Sequence, residues 1–220
     1  MSEFNYSDWA TCGVGSSVTW EEDSSSRRRL TDLPESLTAE QLEMMTRQLP
    51  PEQREMILKR EMSHRMLTEH RATLVERHPD RLVVEIRTTI QGRPEGFALQ
   101  EVLPAVPPPP EPHSQVILHR EWEDENGGGS TTVTKQSWDD LFKDAPTTEG
   151  EETIDVAGRP MACRWTEKAA QTPPGLLQIR TWRNDDLPGG CARFSLRLEG
   201  PVTSQTILTK VVSFDRKAGP

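Results

Sequence analysis

The stretch Ile179-Arg-Thr-Trp182-Arg-Asn-Asp-Asp-Leu-Pro-Gly-Gly190-Cys-Ala-Arg-Phe194-Ser-Leu-Arg-Leu198 decides the fold class. Apolar and polar residues alternate on both sides of Pro188-Gly189-Gly190, so it predicts a strand, a tight turn and a return strand. Upstream, Glu152–Val156, the pair Ala157-Gly158 and Arg159–Trp165 predict a second hairpin. Thr172-Pro-Pro-Gly175 predicts a turn before Leu176–Arg183, and a last strand is expected over Ser204–Phe214. Short strands divided by Gly/Pro turns, with no helix between them, predict an antiparallel meander.

The period of two also assigns faces. Ala192, Phe194, Leu196 and Leu198 are expected to face the core, leaving Cys191, Arg193, Ser195 and Arg197 on the outer face. Leu177, Ile179 and Thr181 oppose Gln178, Arg180 and Trp182, while Met161, Cys163 and Trp165 form an apolar set. Arg180, Arg193 and Arg197, with Trp182 among them, are therefore candidate contact residues on a cationic sheet face. Residues 153–217 hold ten Lys/Arg against six Asp/Glu, which supports such a face. An indole among arginines suits an anionic ligand. The same arginines equally keep an exposed sheet soluble and oppose edge pairing. No nucleic-acid motif accompanies them, so no nucleic-acid partner is expected.

The N-terminal half changes character along its length. Ser16–Glu22 predicts a strand, and Ser24–Arg29 reads as a polar loop. Thr38-Ala-Glu-Gln41 has capping-box spacing and predicts a helix that Pro50-Pro51 ends. A second helix is expected over Glu52–His70, where Leu58, Met62 and Met66 recur every four residues. Such a stripe packs on the protein's own sheet or serves as an adaptable docking surface, which makes Met62 and Met66 candidate contact residues. Glu61 and His64 would share a face of that helix, but a metal needs three or four convergent ligands and none is predicted. Ala72–Arg77 and Arg81–Ile90 flank His78-Pro-Asp80 as a hairpin. Pro104 to Pro112 favours polyproline II and reads as a connector, followed by a strand over Val116–Glu123, a flexible turn at Asn126–Gly129 and a helical turn at Trp138–Phe142.

Composition narrows the function classes. The net charge is −9, yet residues 131–220 carry twelve Lys/Arg and twelve Asp/Glu, so the acidic excess belongs to residues 1–130. Mean hydropathy is −0.68, low enough that part of the chain is expected outside any core. No apolar run reaches the roughly 20 residues that span a bilayer. The first residues show neither a basic nor an apolar leader segment, so a cytoplasmic location is expected. Cys12, Cys163 and Cys191 are an odd, widely spaced set that fits reduced thiols. Gly13-Val-Gly15-Ser-Ser lacks the lysine of a phosphate loop, and no hydrolase or zinc-protease motif is present. Asp185-Asp186 reads as turn support. No catalytic residue and no cofactor is predicted.

Asp8-Trp9-Ala-Thr-Cys-Gly13-Val-Gly15-Ser-Ser-Val18, Glu152-Thr-Ile-Asp-Val156-Ala-Gly158-Arg159 and Trp182-Arg-Asn-Asp185-Asp-Leu187-Pro-Gly-Gly190 together resemble a group of uncharacterised bacterial proteins. The hairpin is also similar in style to the curved sheets of bacterial lipoprotein-carrier folds. The resemblance implies a curved antiparallel sheet and brings no established activity with it; many members of the uncharacterised group carry an export signal. The expected architecture is mainly β with an inserted helical pair (α+β), as a meander, curved sheet or incomplete barrel. Its parts are 1–30 (strand and loop of the sheet domain), 31–71 (inserted amphipathic helices), 72–103 (β-hairpin), 104–130 (Pro/Gly-rich connector) and 131–220 (C-terminal sheet). The expected function is non-enzymatic binding of a protein partner or a small apolar ligand. The alternatives are a hydrolase or transferase with an unrecognised site, and a structural component docking through the 52–70 helix.

Overall fold

A computed structural model describes residues 6–29, 37–91, 96–106, 116–122, 129–135, 142 and 144–219. In chain order the elements are α1 (Tyr6–Trp9), β1 (Ser17–Arg29), α2 (Ala39–Thr46), α3 (Pro51–Leu58), β2 (Glu61–Arg77), β3 (Arg81–Ile90) and β4 (Gly96–Pro104). Then follow β5 (Val116–Trp122), β6 (Gly129–Lys135), β7 (Thr147–Val156), β8 (Arg159–Thr172), β9 (Gly175–Arg183), β10 (Cys191–Glu199) and β11 (Thr203–Asp215). Nine strands make one antiparallel sheet in the order β4-β3-β2-β1-β11-β10-β9-β8-β7, and β5 and β6 pair as a separate hairpin. Residues 72–103 and 147–215 thus contribute to a single sheet, joined where β1 pairs with β11. The sheet curves without closing: β7 reaches β11, and the Arg159 guanidinium lies 5.6 Å from the Phe214 ring centroid.

The meander over β7 to β11 follows the expected alternation. Ala157 (φ 53°) and Gly158 (φ 79°) make the two-residue turn whose positive φ values match the twist of a hairpin. Between β9 and β10, Gly189 (φ 77°) and Gly190 (φ 65°) take the left-handed conformation that glycine tolerates best. The capping box of α2 forms as read, with Thr38 N donating to Gln41 Oε1 (2.8 Å) and Gln41 N donating to Thr38 Oγ1 (3.3 Å). Pro51 opens α3, where its missing N–H leaves no bond unmade.

Two expectations are corrected. The second helix stops at Leu58, and Glu61–Arg77 is a strand, with Arg60 at φ 52° making the turn between them. A spacing of four places Met62 and Met66 on one side of a strand as well as of a helix, so the stripe did not discriminate. The strand assignment wins because β1 and β3 pair with β2 on both sides, and burial alternates through Thr68, His70, Ala72 and Leu74. Ser24–Arg29 is likewise no loop. It continues β1, held by β2 on one side and β11 on the other, which outweighs its polar side chains. The Pro-rich run from 107, the Asn126–Gly128 turn and most of Trp138–Phe142 lie outside the described residues.

The main core joins both halves of the sheet: Val18, Trp20, Leu74, Val84 and Ile86 pack with Ile154, Val156, Cys163 and Trp182. Trp9 of α1, fully buried, belongs to it. Arg77 Nη2 pins the segment behind Trp9 by donating to Ala10 O and Cys12 O, both at 2.7 Å. A smaller cluster gathers Phe142, Leu177 and Leu196, with Ile179, Phe194, Leu198 and Ile207 against it.

Candidate functional site

The hairpin β9–β10 and its neighbour β8 carry a stack of alternating indoles and guanidinium groups. Trp165 lies opposite Trp182 in the register, Arg193 also lies opposite Trp182, and Arg180 lies opposite Glu167 and Ser195. Directly opposed residues share one side of a sheet, so these side chains converge. The Arg180 guanidinium sits 4.0 Å from the Trp165 ring centroid and 4.7 Å from that of Trp182, and Arg193 sits 5.5 Å from Trp182. Glu152 on β7 ties the stack together. Its Oε2 accepts from Trp182 Nε1 (2.9 Å) and from Arg180 Nη2 (3.3 Å), and Glu167 adds a second carboxylate at 4.0 Å from Arg180. Gly150 leaves the room that Trp165 fills, since a Cβ there would lie 2.7 Å from Trp165 Cζ2.

This geometry corrects the expected outward position of Trp182, which is only 7% exposed and belongs to the main core. Arg180 and Arg193 share its side as predicted, but their planes are spent on its ring. Arg197 does lie at the surface, paired with Glu199. A register shift between Cys191 and Arg193 also puts β10 one residue out of step there. Ala192 therefore joins the main core, while Phe194 and Leu196 join the smaller cluster. Met62, half exposed, and Met66, half-buried, sit on β2, separated from β9 by β1, β11 and β10. The two sets of predicted contact residues are not brought together.

Elsewhere the sheet is paved with ion pairs. Arg65 binds Asp23 through both nitrogens (2.9 and 2.6 Å), Lys210 meets Glu21 (3.1 Å), and Arg87 meets Glu85 (2.7 Å). The Arg65 fork holds the Asp23 carboxyl below its usual range. Asp185 and Asp186 part company as turn residues, one to Arg164 (3.1 Å) and the other to Arg216 (3.2 Å).

Sequence reading missed a buried polar set on β1, β2 and β3. His70 Nδ1 is 2.9 Å from Thr88 Oγ1, its Nε2 is 3.8 Å from Glu22 Oε2, and the Trp20 ring lies 6.3 Å away. The signal was present as His70 at an even step from Thr68, Ala72 and Leu74, and it was lost when that stretch was read as helix. Glu61 and His64, three residues apart on a strand, fall on opposite sides and cannot share a metal. Among the described residues no three His, Cys, Asp or Glu side chains converge as a metal site. Cys12, Cys163 and Cys191 are free thiols, and burial pushes Cys12 and Cys163 up from the ordinary thiol range.

Among the described residues, open clefts mark the surface, and charged and hydroxyl side chains supply many of the residues that line them. One of about 610 Å³ lies beside the stack, between Glu149, Glu151, Arg164, Trp165 and Arg183. Another of about 440 Å³ lies where the end of β1 meets the α3–β2 junction and the β10–β11 turn. Large apolar side chains stand out from the helical insert instead: Met44 is 72% exposed and Met45 65%.

No protein-family model matches the sequence, and no curated protein does. Among solved structures the chain is similar to the crystal structure of the hypothetical lipoprotein YmcC from Escherichia coli K12. The identity is 12%, over 91% of this chain and 89% of that chain, with a TM-score of 0.26. A likeness this distant carries neither fold nor activity across. Among the described residues, no helix is long and apolar enough to cross a membrane.

Proposed function

We propose that this protein is a non-enzymatic protein-interaction module, in which the curved sheet is the scaffold and the α2–α3 insert is the contact surface. One observation carries the reading: Met44, Met45, Leu49, Leu58 and Met62 are all exposed between residues 44 and 62. Exposed large apolar side chains gathered in one segment favour a partner, and methionine adapts its shape to one. Met62 then belongs to the contact surface, and Met66 supports it from a half-buried position. Trp182, Arg180 and Arg193 brace the sheet, with Arg197 at its surface. A protein partner is preferred over a small apolar ligand because these apolar side chains project outward from the surface instead of lining an enclosed cavity. Three free thiols support a reducing compartment such as the cytoplasm.

The test is a photo-crosslinking residue placed at Met45, compared with one at exposed Asp155 on β7, in the cells that make the protein. Discrete adducts from position 45 that are absent from position 155 are expected. Equal labelling from both positions, or no adduct from position 45, would overturn the reading.

A further inference from the structure

We infer that the outer edge of β7, over Thr147–Thr153, docks an extended segment of a partner protein that carries lysine or arginine at alternate positions. The inference concerns a different surface from the apolar insert and stands whether or not the insert docks a partner.

The edge follows from the order of the sheet. β7 is its last strand and, among the described residues, pairs on one side only, with β8. The two-residue turn Ala157-Gly158 fixes which backbone groups that pairing uses. Val156 and Arg159 close the turn as a hydrogen-bonded pair, and bonded and non-bonded pairs then alternate along the ladder. Pro160 agrees with this phase. It lies opposite Asp155, a non-bonded position, where its missing N–H costs no bond to β7. The register runs from there to Thr147 without a shift, so Thr153, Glu151, Glu149 and Thr147 turn their N–H and C=O groups away from β8. Asp155 stands apart from this set, because its carboxylate folds back on the turn and accepts from Gly158 N at 3.1 Å.

Strand edges are blunted by a proline, a bulge or lysines that discourage pairing. Over Thr147–Thr153 none of these is present. The four residues that offer their backbone are exposed, and two of them are glutamates. Neither Glu149 nor Glu151 makes an ion pair among the described residues. Arg164, opposite Glu151 in the register, turns to Asp185 instead (3.1 Å), and Arg183 turns to Asp8. A cleft of about 610 Å³ lies between Glu149, Glu151, Arg164 and Thr166, and gives room for the side chains of an added strand.

These features select the occupant. Strand addition supplies main-chain hydrogen bonds along the edge, and alternate side chains set the specificity. Glu149 and Glu151 share one side of β7, so side chains two apart on the incoming strand meet them. Opposite charges across a pair attract and like charges repel. A second copy of β7 is disfavoured on that ground, since it brings glutamates to glutamates. The chain's own residues 107–115, 123–128 and 136–141 hold six acidic residues and no lysine or arginine, so they have the wrong sign as well. A basic strand from another protein satisfies both the backbone groups and the carboxylates.

The probe is a capped synthetic peptide of about nine residues, alternating lysine and threonine, titrated calorimetrically into the full chain at low ionic strength. Saturable binding is expected, with backbone amide exchange slowed at residues 147–153. The same peptide with glutamate for lysine should not bind. Two N-methylated forms, one blocked at the lysine amides and one at the threonine amides, should differ. One edge of the peptide meets β7, so one form loses binding and the other keeps it, an asymmetry that a purely ionic association lacks. E149K/E151K, whose parent side chains are exposed, should bind the lysine peptide about tenfold or more weakly at an unchanged melting temperature. E40K, an exposed charge reversal on α2, should bind like the parent. Absence of saturable binding, equal behaviour of the two methylated forms, equal binding by parent and E149K/E151K, or protection confined to residues outside β7 would overturn the inference.

Discussion

Glu152 is the residue on which the indole–guanidinium stack turns, and its removal separates two kinds of interaction. Its Oε2 accepts from the Trp182 indole N–H at 2.9 Å and pairs with Arg180 at 3.3 Å. Glu152→Ala leaves the N–H of a nearly buried tryptophan without that acceptor, at about 1–3 kcal/mol. It also loses an ion pair whose members are each about a third to a half exposed, which adds only about 0.2–1 kcal/mol. Glu152→Gln keeps an oxygen for the indole and loses only the charge, so its expected cost stays below about 1 kcal/mol. Trp182→Phe removes the N–H together with part of the ring, at about 1–3 kcal/mol. In the double variant the orphaned donor no longer exists. The two costs should therefore fail to add, by about 1 kcal/mol or more. Urea unfolding followed by far-ultraviolet circular dichroism reads the parent and all four variants without relying on the altered fluorescence. Equal costs for E152A and E152Q, or additivity within about 0.3 kcal/mol, would refute the assignment of Glu152 as the indole's acceptor.

Other expectations follow from neighbouring contacts. Gly150→Val should cost about 1–3 kcal/mol, because its Cβ meets Trp165 Cζ2 at 2.7 Å; unchanged stability with native near-ultraviolet dichroism would show that the ring moves freely. Arg77→Ala should cost about 2–3 kcal/mol and speed amide exchange in residues 9–12, with Arg77→Lys recovering only part, since an ammonium lacks the planar fork. Alkylation under native conditions should label Cys191 well before buried Cys12 and Cys163, and all three together in denaturant; simultaneous native labelling would contradict their burial. Because burial raises the thiols of Cys12 and Cys163, their contribution to stability is complete below the unfolded value of about 8.5 and is lost as pH rises through the folded one. A C12A/C163A variant should therefore lose stability less steeply than the parent in an alkaline titration of the melting temperature.

The C-terminal half was legible because its signals are local. Ala157-Gly158 and Pro188-Gly189-Gly190 can hardly be anything but turns, and the strands between them alternate cleanly. β2 was not legible, because the only pattern weighed there, Leu58-Met62-Met66, fits a period of 3.6 and a period of 2 alike. What separates them is the pairing of β2 with β1 and β3, a long-range fact absent from any window of sequence. The back half of β1 shows the same thing in reverse: Ser24–Arg29 has the composition of a loop and the hydrogen-bonding environment of a central strand. Trp182 was placed on the wrong side of the surface because its burial comes from the curl of the sheet, which brings it together with Cys163 and Ile154. The one-residue register shift at Cys191 and Arg193 compounded this, since counting by twos cannot pass through a bulge unharmed.

The charges lead to the same conclusion from another direction. Counted along the chain, residues 153–217 look cationic and residues 1–130 acidic, which suggested an arginine-bearing face open to anions. In the fold, antiparallel pairing of β1 with β11 lays one half against the other, so Glu21 meets Lys210, and α1 delivers Asp8 to Arg183. Much of the apparent imbalance is taken up within the molecule: of the arginines first picked out, Arg180 pairs with Glu152 and Arg197 with Glu199, while Arg193 lies against the Trp182 ring.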